Sequence, residues 1–276
     1  MWDESGFAVH MVLPGVEALI DAVEAQLTNL GFGTRASSLA TLHHHLPPEL
    51  MAFNEHFTNA VSRAFYPVSD DILAAYHAFL VRGVRPLLSE DFLFQAQPLV
   101  RFHFPVPFHA AMKTTTGLPR QLHSDLLGGH PPEMMQGWLA LTDCTGSAAL
   151  QCASRNTSLE VLDAYREQFG PTDPPFADSL HHFYDTWDRD PHFAEAITAA
   201  CAPVTMTAGD LLLFDPHCLH GGTENHEDTT RVSLDFRLLP ASLEKVALDN
   251  ATTDTGRRFK RGELFSEQSI WELTAS

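Results

Sequence analysis

One stretch of this chain leaves little freedom in how it can fold. From Arg231 to Leu238 the residues alternate strictly, with Arg231, Ser233, Asp235 and Arg237 on one set and Val232, Leu234, Phe236 and Leu238 on the other. A period of two marks a strand whose successive side chains point to opposite faces of a sheet. The apolar set then needs a hydrophobic layer, and the charged set shares the other face. An arginine facing inward needs an anionic partner, because a buried unpaired charge is costly. Two readings stay open at this point. Either Asp235 neutralises the arginines and nothing binds, or a ligand does.

The remaining pattern supplies helices first and strands later. Val16, Leu19, Ile20, Val23 and Leu27 recur at helical spacing, and Ser69-Asp70-Asp71 opens a second helix striped by Ile72, Leu73, Tyr76, Phe79 and Leu80. Extended structure is expected from Phe92 to Phe104, broken by Pro98 and Pro105, then at Trp138–Leu141, Ala148–Leu150 and Leu211–Phe214. Gly209-Asp210 is the turn before that last run. Residues 155–200 read as a helical, aromatic-rich insertion between strands. Helices followed by many strands suggest an α+β fold with a sheet sandwich or barrel carrying the chemistry. With 276 residues and no repeat or low-complexity linker, one domain over 1–276 is the default.

Composition narrows the partners. A formal net charge of -18 argues against a phosphate-backbone partner, which needs clustered Lys and Arg. No apolar run approaches the ~18 residues needed to span a bilayer. The start of the chain is acidic where a signal peptide would be basic. The four cysteines show no CxxC spacing, so a reducing, cytoplasmic setting and a small-molecule substrate are expected.

The chemistry begins at Gln121-Leu122-His123-Ser124-Asp125. His123 and Asp125, two apart on an extended segment, point to one side and can reach one metal ion. A second histidine is the usual completion, and two imidazoles with one carboxylate on one face suit Fe(II) with open positions. Downstream, the run Leu211–Phe214 leads to His220 beside Gly221 and Gly222, where backbone passes close to something bound. Arg231 follows His220 by eleven residues. The far carboxylate of an α-keto acid would satisfy its guanidinium, with the Ser233 hydroxyl adding a hydrogen bond.

Taken in order, His123-x-Asp125, Trp138, Gly209-Asp210, His220 and Arg231-x-Ser233 resemble the phytanoyl-CoA dioxygenase-like family of Fe(II)/2-oxoglutarate oxygenases. The resemblance covers roughly residues 90–240. It implies a double-stranded β-helix, a cupin-like jelly roll, with flanking helices. It implies Fe(II) on His123, Asp125 and His220, 2-oxoglutarate as co-substrate on Arg231 and Ser233 with Trp138 nearby, and dioxygen as oxidant. Arg237 and Gln136 are expected to meet substrate, and residues 155–200 to form a lid. Related halogenases carry a small residue in place of the carboxylate, so Asp125 points to hydroxylation or another oxidation of a C–H bond rather than halogenation. The stretch Gly129–Glu133 with Trp138–Asp143 is similar to bacterial members acting on sugar-like or secondary metabolites. One departure stands out. The Pro-Gly-Ser-His element of many relatives is absent after Gly146, so no substrate contact is carried over there.

Other histidines compete for the metal. In the family that the chain resembles, the distal histidine precedes the 2-oxoglutarate arginine by eleven residues, an offset that His217 and His226 lack. His130 belongs to the loop after Asp125, His43-His44-His45 reads as solvated, and His181-His182 as surface or pocket lining. Two other functions fit a barrel of this kind: a metal-dependent isomerase or hydrolase, and a jelly roll that binds ligand without turnover.

Overall fold

The structure, a computed structural model, describes residues 5–33, 38–54, 58–108, 122–169, 179–244 and 265–275. Residues 1–4, Gln121 and residues 170–178 of the insertion lie outside this set. The described strands are β1 Phe7–His10, β2 Phe92–Gln95, β3 Leu99–His103, β4 Met135–Ala140, β5 Leu150–Cys152, β6 Ala202–Val204, β7 Leu211–Phe214, β8 His220–Gly221, β9 Arg231–Pro240 and β10 Phe265–Ser269.

The alternating stretch becomes β9, the long interior strand of a seven-stranded sheet ordered β1-β7-β4-β9-β2-β10. β4 pairs along one edge of β9, and β3 and β2 share the other in succession, all antiparallel. A smaller sheet, β6-β5-β8, faces it, and the two enclose a cavity. This is the jelly roll that the family resemblance implies. Its expected strands are present, with boundaries moved by a few residues. The strand expected at Ala148–Leu150 starts only at Leu150, because Gly146–Ala148 forms a tight 3-10 turn. Glu227 holds that turn by accepting from both the backbone N–H and the hydroxyl of Ser147, each at 2.9 Å. β1 and β6 went unforeseen: each is short, and β6 carries Pro203, which suits only an edge.

The helices cover the outer face of the large sheet. Helix α1, Val16–Asn29, buries Val16, Leu19, Val23 and Leu27, the stripe its spacing predicts. Two short helices, α2 Pro48–Met51 and α3 Ala60–Ala64, follow. Helix α4, Asp70–Phe79, is capped by Ser69, whose hydroxyl accepts from the Ile72 N–H at 3.4 Å. Against them lie Val232, Leu234, Phe236 and Leu238, all fully buried. Tyr76 and Phe79 of α4 meet the Phe236 ring edge-on at 5.7 and 6.2 Å, the geometry that aromatic quadrupoles favour. The apolar half of the alternation is therefore the floor of the main core.

Beneath Phe236 the neighbouring strand carries Gly137, directly opposite in register. A side chain there would collide with the Phe236 ring, which fully buried neighbours hold in place. Gly137→Ala is expected to destabilise the protein by about 1–3 kcal/mol through overpacking. Adding Phe236→Leu should recover part of that loss in urea unfolding. Equal losses in G137A with and without the second change would show that the ring is not the obstacle.

Candidate metal centre and its cavity

His123 and His220 face each other across an isolated antiparallel bridge. The His123 N–H donates to the His220 carbonyl at 2.9 Å, and the reverse bond has the same length. Directly opposed residues project to one face, so the two imidazoles converge, with ring centroids 4.8 Å apart. Asp125, two residues beyond His123, joins them. Its Oδ1 lies 3.5 Å from His123 Nε2 and 3.8 Å from His220 Nε2. The three ligand atoms all lie within 4.8 Å of one another, a spacing one ion can bridge.

The backbone around each ligand explains its aim. Ser124 caps the 3-10 turn Asp125–Gly128 by accepting from the Leu126 N–H, and donates to the Pro216 carbonyl at 2.8 Å. Capping therefore falls to Ser124, which leaves the buried Asp125 carboxylate free for the cavity. His220 Nδ1 lies 3.0 Å from the Cys218 carbonyl. That contact fixes the proton on Nδ1 and leaves the Nε2 lone pair facing Asp125, the arrangement usual behind a metal-binding imidazole. Burial pushes the His220 pKa down to about 4, with His123 adding a like-charge contribution. Asp125 is held well below the carboxylate range by Arg237 and His123, which outweigh its burial. The neutral His220 imidazole, the His123 imidazole and an ionised carboxylate make up the donor set a divalent ion of intermediate softness requires.

The cavity has a volume of about 490 Å³, in the range of small-molecule sites. Its walls include Gln136, Trp138, Arg231 and Arg237 from the large sheet and Leu150 and Gly221 from the small one. Arg231 is almost fully buried and, among the described residues, no carboxylate lies within ion-pairing distance of it. Its Nη1 reaches only the Ala148 carbonyl at 3.5 Å, and its Nε has no partner. The Trp138 ring centroid lies 5.8 Å from the guanidinium carbon. A buried cation left without a counter-anion, across a cavity from the three ligands, fits the far carboxylate of a dicarboxylic keto acid.

Other expected residues fall out differently. Ser233 is fully buried and donates to the cavity-lining Asp235 at 3.0 Å. Asp235 pairs with Arg101 at 3.3 Å rather than with Arg231 or Arg237. Arg237 donates to Asp125 Oδ2 at 3.3 Å and to Gln95 Oε1 at 3.0 Å. Gln136 lines the cavity with its Nε2 buried and unpartnered. The reading of His43 as solvated is corrected. Its ring is buried, with Nδ1 2.8 Å from Thr230 Oγ1 and Nε2 3.2 Å from Asp228, because Leu39 and Leu42 draw that segment into the core. With the exposed His44 and Asp228 it forms a second convergent group at the surface, where both His43 nitrogens are already engaged. His217 pairs with Asp215 at 2.6 Å, and His226 with Glu224 at 3.3 Å. His182 is exposed, and the side chain of His181 lies outside the described residues.

Leu180 and Tyr184, on α6, Ser179–Arg189, within the insertion, also line the cavity, as do Phe53, Thr58, Ser62, Arg101 and His103, none of which the sequence pattern singles out. The Tyr184 ring lies edge-on to His123 at 6.4 Å. Helix α5, Arg155–Phe169, and helix α7, Pro191–Ala200, flank α6. Leu162, Tyr165, Phe183, Phe193 and Ile197 of this insertion form one apolar cluster with Leu122 and Leu219, the residues that precede the two metal-site histidines. Ser158 accepts from the Leu219 N–H at 2.8 Å.

The sequence matches the phytanoyl-CoA dioxygenase (PhyH) family over residues 74–233, more than half of the chain. The chain belongs to this family. The matched PhyH span contains His123, Asp125, His220, Arg231 and Ser233. As a PhyH-family protein it is a non-haem oxygenase that uses Fe(II), 2-oxoglutarate and dioxygen. Three solved structures are among those similar to this chain. HygX from Streptomyces hygroscopicus, with nickel and 2-oxoglutarate bound, is 14% identical, with 87% of this chain and 84% of that one covered at a TM-score of 0.45. The carbocyclase SnoK from nogalamycin biosynthesis is 16% identical, with 95% and 91% covered at 0.44. EctD from S. alaskensis with bound Fe is 14% identical, with 87% and 74% covered at 0.43. Likenesses at this level assign neither substrate nor residue roles. A comparison with curated proteins found no match. Among the described residues of this PhyH chain, no helix is long and apolar enough to cross a membrane.

The protonation states give a test on the metal-free protein. Burial and the Arg237 charge push His130 down to about 3, alongside His220 at about 4. Both folded values lie below the ordinary histidine value, so on acidification the unfolded chain takes up these protons first. Folding stability should therefore be full above pH 6.5 and fall as the pH drops toward 4, by up to about 1.4 kcal/mol per unit for each histidine. Depressed carboxylates such as Asp125 and Asp215 add their loss only at lower pH. His130→Gln and His220→Gln should each flatten the slope between pH 6.5 and 4.5 in denaturant titrations. Slopes unchanged in both variants would mean that neither imidazole is held neutral in the fold.

Proposed function

We propose that this enzyme hydroxylates a C–H bond of a small molecule, with His123, Asp125 and His220 holding Fe(II) and Arg231 anchoring 2-oxoglutarate. One juxtaposition carries the reading: three convergent ligand atoms and a buried arginine without a counter-anion share one cavity wall system. When bound, the iron supplies reduction of dioxygen coupled to decarboxylation of the keto acid.

The protein's part is placement and seclusion. Arg231 offers Nε and a second guanidinium nitrogen to one carboxylate, and its fixed fork sets the direction in which the keto acid extends toward the ligands. Trp138 walls that end of the cavity. Ser233 already serves Asp235, so the anchor falls to Arg231. Gln136 offers an unused donor to substrate at the cavity wall. Leu180 and Tyr184 bring the insertion over the metal side, which supports residues 155–200 as the part of one oxygenase domain that admits and shapes the substrate. The retained carboxylate of Asp125 supports hydroxylation over halogenation. Free thiols at all four cysteines support a reducing setting.

A zinc hydrolase or isomerase would have no use for the anion site at Arg231. Succinate release under air, with Fe(II), 2-oxoglutarate and a panel of small metabolites, tests the difference. We expect turnover to need both iron and 2-oxoglutarate and to vanish in Asp125→Ala. Arg231→Gln should raise the KM for 2-oxoglutarate by about 10–100-fold, the weight of a charge-assisted pair. A normal KM in Arg231→Gln would remove the anchor, and iron-independent turnover would remove the reading altogether.

A further inference from the structure

We propose that Arg237 is a positioning residue of the metal centre, holding one oxygen of Asp125 so that the other alone is presented to the ion. The inference rests on the reading of His123, Asp125 and His220 as ligands. The two carboxylate oxygens of Asp125 are already divided in the structure. Oδ1 faces both Nε2 atoms, at 3.5 and 3.8 Å, while Oδ2 accepts from Arg237 Nη2 at 3.3 Å. The guanidinium is itself braced. Its Nη1 donates to Gln95 Oε1 at 3.0 Å, and Gln95 donates onward to the Gln97 carbonyl at 2.7 Å. The chain from β2 through Arg237 to Asp125 thus ties the ligand to the sheet.

A carboxylate without such a tie can rotate, chelating through both oxygens or swinging away from the imidazoles. Either motion occupies or distorts positions that the keto acid and dioxygen require. A second effect opposes the first. A cation this close to a divalent ion repels it, so removing Arg237 would strengthen metal binding if charge alone mattered. Outer hydrogen bonds to metal ligands typically change affinity by about 10–100-fold, and here positioning outweighs repulsion. Lysine, a point donor, can serve Asp125 or Gln95 but lacks the fork that serves both together.

The test uses the full-length, metal-free protein titrated with Co2+, read by calorimetry and by the visible cobalt bands. Arg237→Gln should bind Co2+ about 10–100-fold more weakly. Its cobalt bands should lose intensity as the carboxylate turns bidentate and coordination number rises. Arg237→Lys should recover part of the affinity. Gln95→Ala, which removes only the brace, should weaken binding by a smaller factor and covers the case in which Arg237→Gln does not fold. In an Asp125→Asn background, Arg237→Gln should change nothing further. Unchanged affinity and bands in folded Arg237→Gln, or tighter binding there, would overturn the positioning role. Wild-type Co2+ binding by Asp125→Asn alone would instead overturn the ligand reading, and this role with it.

Discussion

The structure depends on one strand being read from both sides. Burial of Val232, Leu234, Phe236 and Leu238 against the helical layer leaves β9 no choice of register, because a slip by one residue would drive Arg231, Asp235 and Arg237 into that layer. The same packing that stabilises the core therefore aims the cavity's charges. Phe236 and its aromatic neighbours on α4 back the strand that carries Arg231 and Arg237 into the cavity. Gly137 shows how tight the arrangement is, since β4 runs beneath Phe236 only because no side chain stands there.

Charge accounting within the cavity explains why ligands are needed to complete it. Among the described residues, Arg101, Arg231 and Arg237 line it against two carboxylates, Asp125 and Asp235. Arg101 takes Asp235 and Arg237 takes Asp125, so Arg231 is left over. The lining is thus basic inside a chain whose net charge is -18. Desolvation penalises an uncompensated guanidinium heavily, yet no apolar substitute would give a dicarboxylate a reason to enter. A site of this kind stores instability that its co-substrate relieves, which couples occupancy to folding stability.

Much of this was legible because it depends on short-range geometry. Alternation gives faces, an i, i+2 pair gives convergence, and the eleven residues from His220 to Arg231 match the offset that the family resemblance implies. What escaped depends on contacts between distant segments. Arg237 and Asp235 sit two apart, and an intra-strand pair looked natural. In the fold Arg101, brought in by β3, takes Asp235, and Arg237 is free to reach Asp125 more than a hundred residues away. His43 has a polar local neighbourhood, and only its packing beneath Thr230 makes it a buried residue. Ser233 lies on the predicted face, but its hydroxyl turns along the strand to Asp235, a rotamer choice that no periodicity encodes.

The insertion is more than a cover. A loop that merely closes over a pocket would pack on its rim, but here the apolar cluster of α5, α6 and α7 is built around Leu122 and Leu219. Each of these residues immediately precedes a metal-site histidine. The Ser158 hydroxyl grips the Leu219 backbone, and the same backbone continues into the bridge that opposes His220 to His123. Tyr184, on the middle helix, touches the metal side of the cavity from the same body. The Tyr184 side of the cavity and the placement of both histidines thus rest on one packed unit. A change in the insertion that reshapes the pocket must be transmitted to the imidazoles unless the Leu122–Leu219 contact survives it.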